Sequence, residues 1–326
     1  MTHVSTSYFG FATGMVRIAR ACAVHAALAL MLALPLRAQR THVLLVVGLS
    51  GEPQFKRSFD AAAQAARDAA RNRWGVSDSS LIVLTEDSTR TELSSRRSTR
   101  NNIAQAFLRL SSRVQPGDVL FVMLMGHGSG DGAQSKVNLP GPDATAADYA
   151  AWLAGFGKQQ VVFVNTASGS GDFVPVLKAS NRVIVTATKT SNERNESVFL
   201  QYFVGALGLD AADADKDGRL SVFEVFRFAR SEVGKAYTSS NRMQTEHALL
   251  SDSVLASRVA FSTSATSADP RIAALIAERQ ALESDVASLR TKKAAMTADA
   301  YDKELERLLL ALAEKSKAIR AAGGGK

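Results

Sequence analysis

Hydrophobic positions along the chain fall into short continuous runs separated by stretches with an apolar residue every three or four positions. HVLLVVGL (42–49), LIVL (81–84), VLFVMLM (119–125), VVFV (161–164) and RVIVTAT (182–188) predict five buried strands. Between them, 54–73 carries Phe55, Phe59, Ala62, Ala66 and Ala69 at helical spacing and stops near Gly75. Helices are also expected over 101–113, with Ile103, Ala106, Phe107 and Leu110 on one face, and around 145–154. Strand and helix in alternation predict an α/β fold, a mainly parallel sheet with helices on both faces. A Ser/Ala/Thr-rich stretch, 255–269, reads as a linker. Beyond it the tail 270–326 is charged and helical. Leu275, Leu282, Leu289 and Met296 recur every seven residues, with Val286 between them. Tyr301, Leu305, Leu308, Leu312 and Ile319 form a second stripe. The break at TADA (297–300), with Asp299 as the expected cap, predicts a helical hairpin or a coiled-coil arm that packs intramolecularly, on a partner or as a dimer. Arg279 and Lys293 interrupt its intervening core positions.

Composition narrows the class. With 46% hydrophobic and 21% charged residues among 326, the chain is not wholly disordered. Its single cysteine, Cys22, excludes an intramolecular disulfide framework and a multi-cysteine metal centre. Residues 1–38 contain no acid; Arg17 and Arg20 precede the apolar run 21–36, the order of a secretory signal with a cut after Ala38. The expectation is an exported, periplasmic or secreted protein, membrane-anchored only if the segment is retained. Cutting removes three basic residues and takes the formal net charge from +8 to +5. Arg90, Arg96, Arg97 and Arg100 cluster without interleaved aromatics, so a solvated loop is expected and nucleic acid is not.

Two loops carry the candidate chemistry, because ligands of open α/β sheets bind beyond the carboxyl ends of the strands. GHGSGDG (126–132) places His127 directly after seven apolar residues, and NTASGSG (165–171) follows the next strand. The two converge if those strands are neighbours. No GxGxxG follows the first strand, and neither GxxxxGK[ST] nor HExxH occurs.

At these loops the chain resembles the bacterial legumain-like (C13) cysteine peptidases, of caspase-like fold. MGHGSG (125–130) matches the His-Gly segment, with His127 in the base position. VVFVNTASGSG (161–171) stands where the nucleophile segment belongs. Counted from the strand end, Ala167 occupies the cysteine position; aligned by Ser168-Gly169-Ser170, Thr166 does. The resemblance extends to ERNESVFLQYFVGAL (193–207) and to NRMQTEHALLSDS (241–253), whose His247 is expected to be structural. Cysteine-peptidase chemistry needs a thiolate, and no cysteine follows residue 22. The leading expectation is therefore a pseudoprotease with a vestigial His127, acting by binding a peptide or protein at the His127/Ser168 groove. The alternatives are a hydrolase using Ser168 or Thr166 with His127, and a purely structural envelope protein.

DADKDGRLSVFE (213–224) fits the calcium loop of an EF-hand position by position. Asp213, Asp215, Asp217, Ser221 and Glu224 offer side-chain oxygens, Arg219 its backbone carbonyl, and Gly218 the sharp turn. A single loop without a second predicts one Ca2+ held as a structural clip rather than a sensor. The expected organisation is a signal segment 1–38, a caspase-like domain 39–208, an EF-hand segment and domain tail 209–254, the linker, and the helical tail.

Overall fold

The computed structural model describes residues 39–87, 96–217, 219–261 and 270–323. The expected signal segment with Cys22, Arg90 of the basic cluster, Gly218 of the acidic loop and positions 262–269 of the expected linker lie outside the described residues.

Five parallel strands form the sheet as the hydrophobic runs predict: β1 (Thr41–Val47), β2 (Leu81–Leu84), β3 (Val119–Met125), β7 (Gln160–Asn165) and β8 (Arg182–Thr186). A short strand the sequence did not announce, β10 (Leu249–Leu250), pairs antiparallel with β8. The order β10-β8-β7-β3-β1-β2 sets β3 between β1 and β7. All seven β3 side chains are buried, since helices cover both faces. One face packs against α1 (Pro53–Asn72), α5 (Phe199–Ala206) and α6 (Val222–Ser239). The other receives α2 (Arg100–Ser111), α3 (Ala146–Leu153) and α4 (Phe173–Leu177). Val43, Leu45 and Val47 point to the first layer and Leu44 and Val46 to the second, the period-two alternation of a strand. This is a mixed, mainly parallel α/β sheet with the layering of a caspase-like core.

Local chemistry fixes the helix starts. Thr99 accepts a hydrogen bond from the Asn102 N–H at the head of α2. Thr145 and Asp148 form a reciprocal capping box on α3. Arg100 reaches that Asp148 through Nε at 3.1 Å and Nη2 at 2.5 Å. The Arg97 Nε–H donates to the Glu86 carbonyl. Both arginines remain exposed to solvent while making these contacts.

The expected linker is structured where it is described. Asp252 caps α7 (Ser253–Arg258) by accepting from the Val254 and Leu255 N–H groups. Then β11 (Ala260–Phe261) pairs antiparallel with β9 (Leu220–Ser221). Phe261 stacks on Trp74 with centroids 4.4 Å apart, which ties this strand to the main core. In the tail, α8 (Pro270–Thr291) and α9 (Ala298–Gly323) pack together through Val286, Leu289, Tyr301 and Leu308. The start of α9 is corrected: Thr297, not Asp299, accepts from the Ala300 N–H, and Asp299 lies inside the first turn. No helix among the described residues is long and apolar enough to cross a membrane.

Glu246 binds the two flanking segments into the core. Its buried carboxylate accepts from the Val198 N–H at 2.8 Å, the Phe199 N–H, the Ser197 hydroxyl and the Tyr237 hydroxyl. A negative charge at the head of α5 is also favourable to the helix dipole. Beside it, Glu193 accepts from both the backbone N–H and Nδ1 of His247, which accounts for His247 structurally. Glu246→Ala is expected to lose about 2–4 kcal/mol of stability, because several buried donors lose their acceptor. Glu246→Gln should lose less, and urea denaturation of both variants measures the difference.

Candidate functional site

The β3–β7 pairing brings the two candidate loops side by side, as the sequence required of neighbouring strands. The loop after β3 is braced by a small antiparallel sheet of β4 (Gly128–Ser129), β5 (Lys136–Val137) and β6 (Ala144–Thr145). A methyl group on Gly128 would lie 2.5 Å from the Ser168 carbonyl oxygen and 3.2 Å from the Ala167 methyl. The backbones of the His127 loop and the 165–171 turn are therefore in direct contact.

His127 is fixed from three sides. Its Nε2 lies 3.1 Å from the Ser50 carbonyl oxygen. A carbonyl only accepts, so Nε2 carries the proton. Phe55 and Phe59 of α1 meet the imidazole edge-on at 4.8 and 5.3 Å between centroids. Nδ1 faces Glu196 at 3.9 Å. Burial pushes the Glu196 carboxyl above its ordinary range, and the nearby His127 offsets only part of that rise. Sequence reasoning passed over Ser50, Phe55, Phe59 and Glu196 as site residues. Glu196 lies within the quoted stretch 193–207, but nothing in that string indicates that it faces His127.

The hydroxyls of the second loop differ sharply in availability. Thr166 donates to the Leu124 carbonyl at 2.8 Å. Ser170 accepts from the Ala187 and Thr188 N–H groups and lies 3.3 Å from the Thr188 hydroxyl. The Asn165 side-chain carbonyl accepts from the Ala167 N–H and shapes the turn. Ala167 is buried, 1% exposed, with its methyl in the apolar layer beneath the loop. Among the described residues, no hydrogen bond joins His127 to Thr166, Ser168 or Ser170, and Ser168 is the one of the three hydroxyls left uncommitted.

The acidic loop is a second candidate site. Carboxylate oxygens of Asp213, Asp215 and Glu224 lie within 4.8 Å of one another. Oxygens that surround one Ca2+ at 2.3–2.6 Å stand at most about 5 Å apart, so these three fit a hard cation. Lys216 takes φ 58°, and the Asp217 N–H donates to both the Asp213 and Asp215 carboxylates. Ser221 is the N-cap of α6, and Glu224 completes its capping box. Glu224 Oε1 also accepts from the Ala214 and Asp215 N–H groups. Of the five side chains expected to converge, Asp213, Asp215 and Glu224 do so here, and the Asp217 carboxylate is engaged by Arg279 of α8. Arg279 also meets Asp215 at 2.5 Å and lies 3.4 Å from Glu283. Burial raises the Asp217 pKa, and the guanidinium opposes that rise. Burial likewise works against the Arg279 charge, but Asp217 and Asp215 outweigh it and hold its pKa above the ordinary value. The site opens as a cavity of about 310 Å³. A larger one, about 590 Å³, lies away from His127, between Arg97, Arg100, Pro140, Pro142 and Trp152.

Residues 45–150 match the family described as metacaspase, peptidase C14 domain. A caspase/metacaspase-like domain is thus present in the chain. The match includes His127 and ends before the 165–171 turn. No curated protein matches. Among solved structures, protein GSU0716 from Geobacter sulfurreducens is similar at a TM-score of 0.44 and 12% identity, covering 69% of this chain and 99% of that one.

The tight contact between the loops makes Gly128→Ala a direct probe of the arrangement. The added methyl must displace backbone, so a loss of about 1–3 kcal/mol is expected. A calorimetric melt compares it with Gly157→Ala, where a methyl meets nothing within 4 Å.

Proposed function

We propose that the chain is an exported, C13-like pseudoprotease that binds calcium at 213–224 and acts by binding a peptide or protein beside His127. The observation that carries the pseudoenzyme reading is chemical. The histidine loop and the nucleophile turn are assembled in contact, yet Ala167 or Thr166 stands in the cysteine position and no cysteine follows residue 22. Thr166 is a poor substitute, since its proton is already committed to a backbone carbonyl. Export rests on the order of charge and apolar residues in 1–38. The helical tail serves as an interaction arm.

A second reading, hydrolysis by Ser168, is favoured by its uncommitted hydroxyl next to the His127 loop. An activated serine would react with a fluorophosphonate and lose that reactivity in His127→Ala. The pseudoenzyme reading expects no labelling and no peptide cleavage by the purified chain. His127-dependent labelling of Ser168 would establish the second reading instead.

Calcium binding is supported by the loop spacing and the three converging carboxylates. When bound, the ion would be held by Asp213, Asp215 and Glu224, with Asp217, Ser221 and the Arg219 carbonyl completing the shell, and would supply charge neutralisation. Calorimetric titration of chelator-stripped protein should detect binding at or below millimolar calcium. Glu224→Gln should weaken it about tenfold or more, because a charged ligand is lost. Absence of binding heat in both would defeat the calcium reading.

A further inference from the structure

Arg279 occupies an unusual position for a residue on a tail helix. It is 6% exposed and reaches from α8 into the acidic loop 62 and 64 residues earlier in the chain. Its two terminal nitrogens engage Asp215 and Asp217, and Glu283, one turn further along α8, flanks the guanidinium. Nε is buried and makes no hydrogen bond within the chain; its one anionic neighbour is Glu283 at 3.4 Å, so it is held less tightly than the two terminal nitrogens. Asp215 and Asp217 are also positions three and five of the calcium loop.

We propose that Arg279 is an internal stand-in for the cation, so that calcium and helix α8 compete for the 213–224 loop. The proposal rests on the calcium reading given above and adds the regulation of that site. A guanidinium brings one diffuse charge and makes two hydrogen bonds with these aspartates. A divalent ion brings two charges to a smaller volume and recruits Asp213 and Glu224 as well. Both cations need Asp215 and Asp217, and the full calcium shell cannot form while those carboxylates face the arginine. Calcium therefore draws Asp217 toward Asp213, Asp215 and Glu224 and leaves Arg279 buried with Glu283 alone as its anionic partner, an arrangement that favours undocking of α8. By reciprocity, docking of α8 lowers calcium affinity by the same factor that calcium weakens docking. The helix pair α8–α9 then responds to calcium, and the loop is a gate rather than the static clip its lack of a second loop suggested. The closing contact between β9 and β11 keeps the loop itself attached to the core while α8 leaves.

The test compares calcium affinity of the full chain with that of Arg279→Met, alongside hydrogen exchange of residues 270–291 with and without calcium. Arg279→Met should bind calcium about tenfold or more tightly, since no competitor must be displaced. Arg279→Lys, which keeps charge but not the two-pronged fork, should fall between them. In the parent chain, calcium should accelerate exchange across α8 and leave β3 and β7 unchanged. Equal affinity in parent and Arg279→Met, or weaker binding in the variant, would overturn the competition while leaving calcium binding intact. Calcium binding with α8 exchange unchanged would overturn it too, and that readout needs no variant to fold. No calcium binding by any of the three proteins would remove the calcium reading and the competition with it.

Discussion

The placement of β3 between β1 and β7 is the constraint from which the candidate site follows. Seven consecutive buried residues leave this strand no alternative to the sheet interior, hydrogen-bonded on both sides. A strand in that position must release its chain at the carboxyl edge beside the end of β7. The His127 loop and the 165–171 turn are neighbours for that reason, whatever chemistry they hold. Around this frame, α1 presses Phe55 and Phe59 onto the imidazole, and the Ser50 carbonyl assigns its tautomer. The histidine is thus held as firmly as a working base needs to be, while the position beside it offers a methyl group or a committed hydroxyl.

Charge organisation in the molecule lies elsewhere. The acidic loop gathers carboxylates that would repel one another if left without a cation. Arg279 supplies one from a separate helix, burying its own charge to do so. A buried pair of this kind adds little net stability compared with apolar packing, but breaking one side of it is costly. That asymmetry makes the contact suited to a switch: the docked and undocked states differ by which cation satisfies Asp215 and Asp217.

Much of the frame was legible in the sequence because its signals are local. Continuous β-branched runs identify strands buried on both faces, and the spacing of Phe55, Phe59, Ala62 and Ala66 identifies α1. Interactions between distant residues were not legible. The two-residue strands β9 and β11 are too short to show any period, so the start of the supposed linker concealed a strand and most of a helix. Glu246 and Glu196 act on residues about 50 and 70 positions away, respectively, which no motif spacing records. Arg279 was visible only as a flaw in a helical stripe, because a charge facing a distant acidic loop looks, along the helix alone, like an interruption. In the turn 297–300, two capping residue types stand two positions apart, and Thr297 is the one used, its hydroxyl accepting from the Ala300 N–H.

The central claim is that a caspase-like frame without a thiol in its nucleophile turn has its cation chemistry at 213–224, under the hold of α8. A crystal structure of the chain grown with calcium, with the ion located by anomalous scattering, tests this most directly. The account predicts a single ion coordinated by Asp213, Asp215, Asp217 and Glu224, with Arg279 withdrawn from the loop and the contact between Gly128 and Ser168 unchanged. An ion-free loop with Arg279 still between Asp215 and Asp217 in saturating calcium would contradict it.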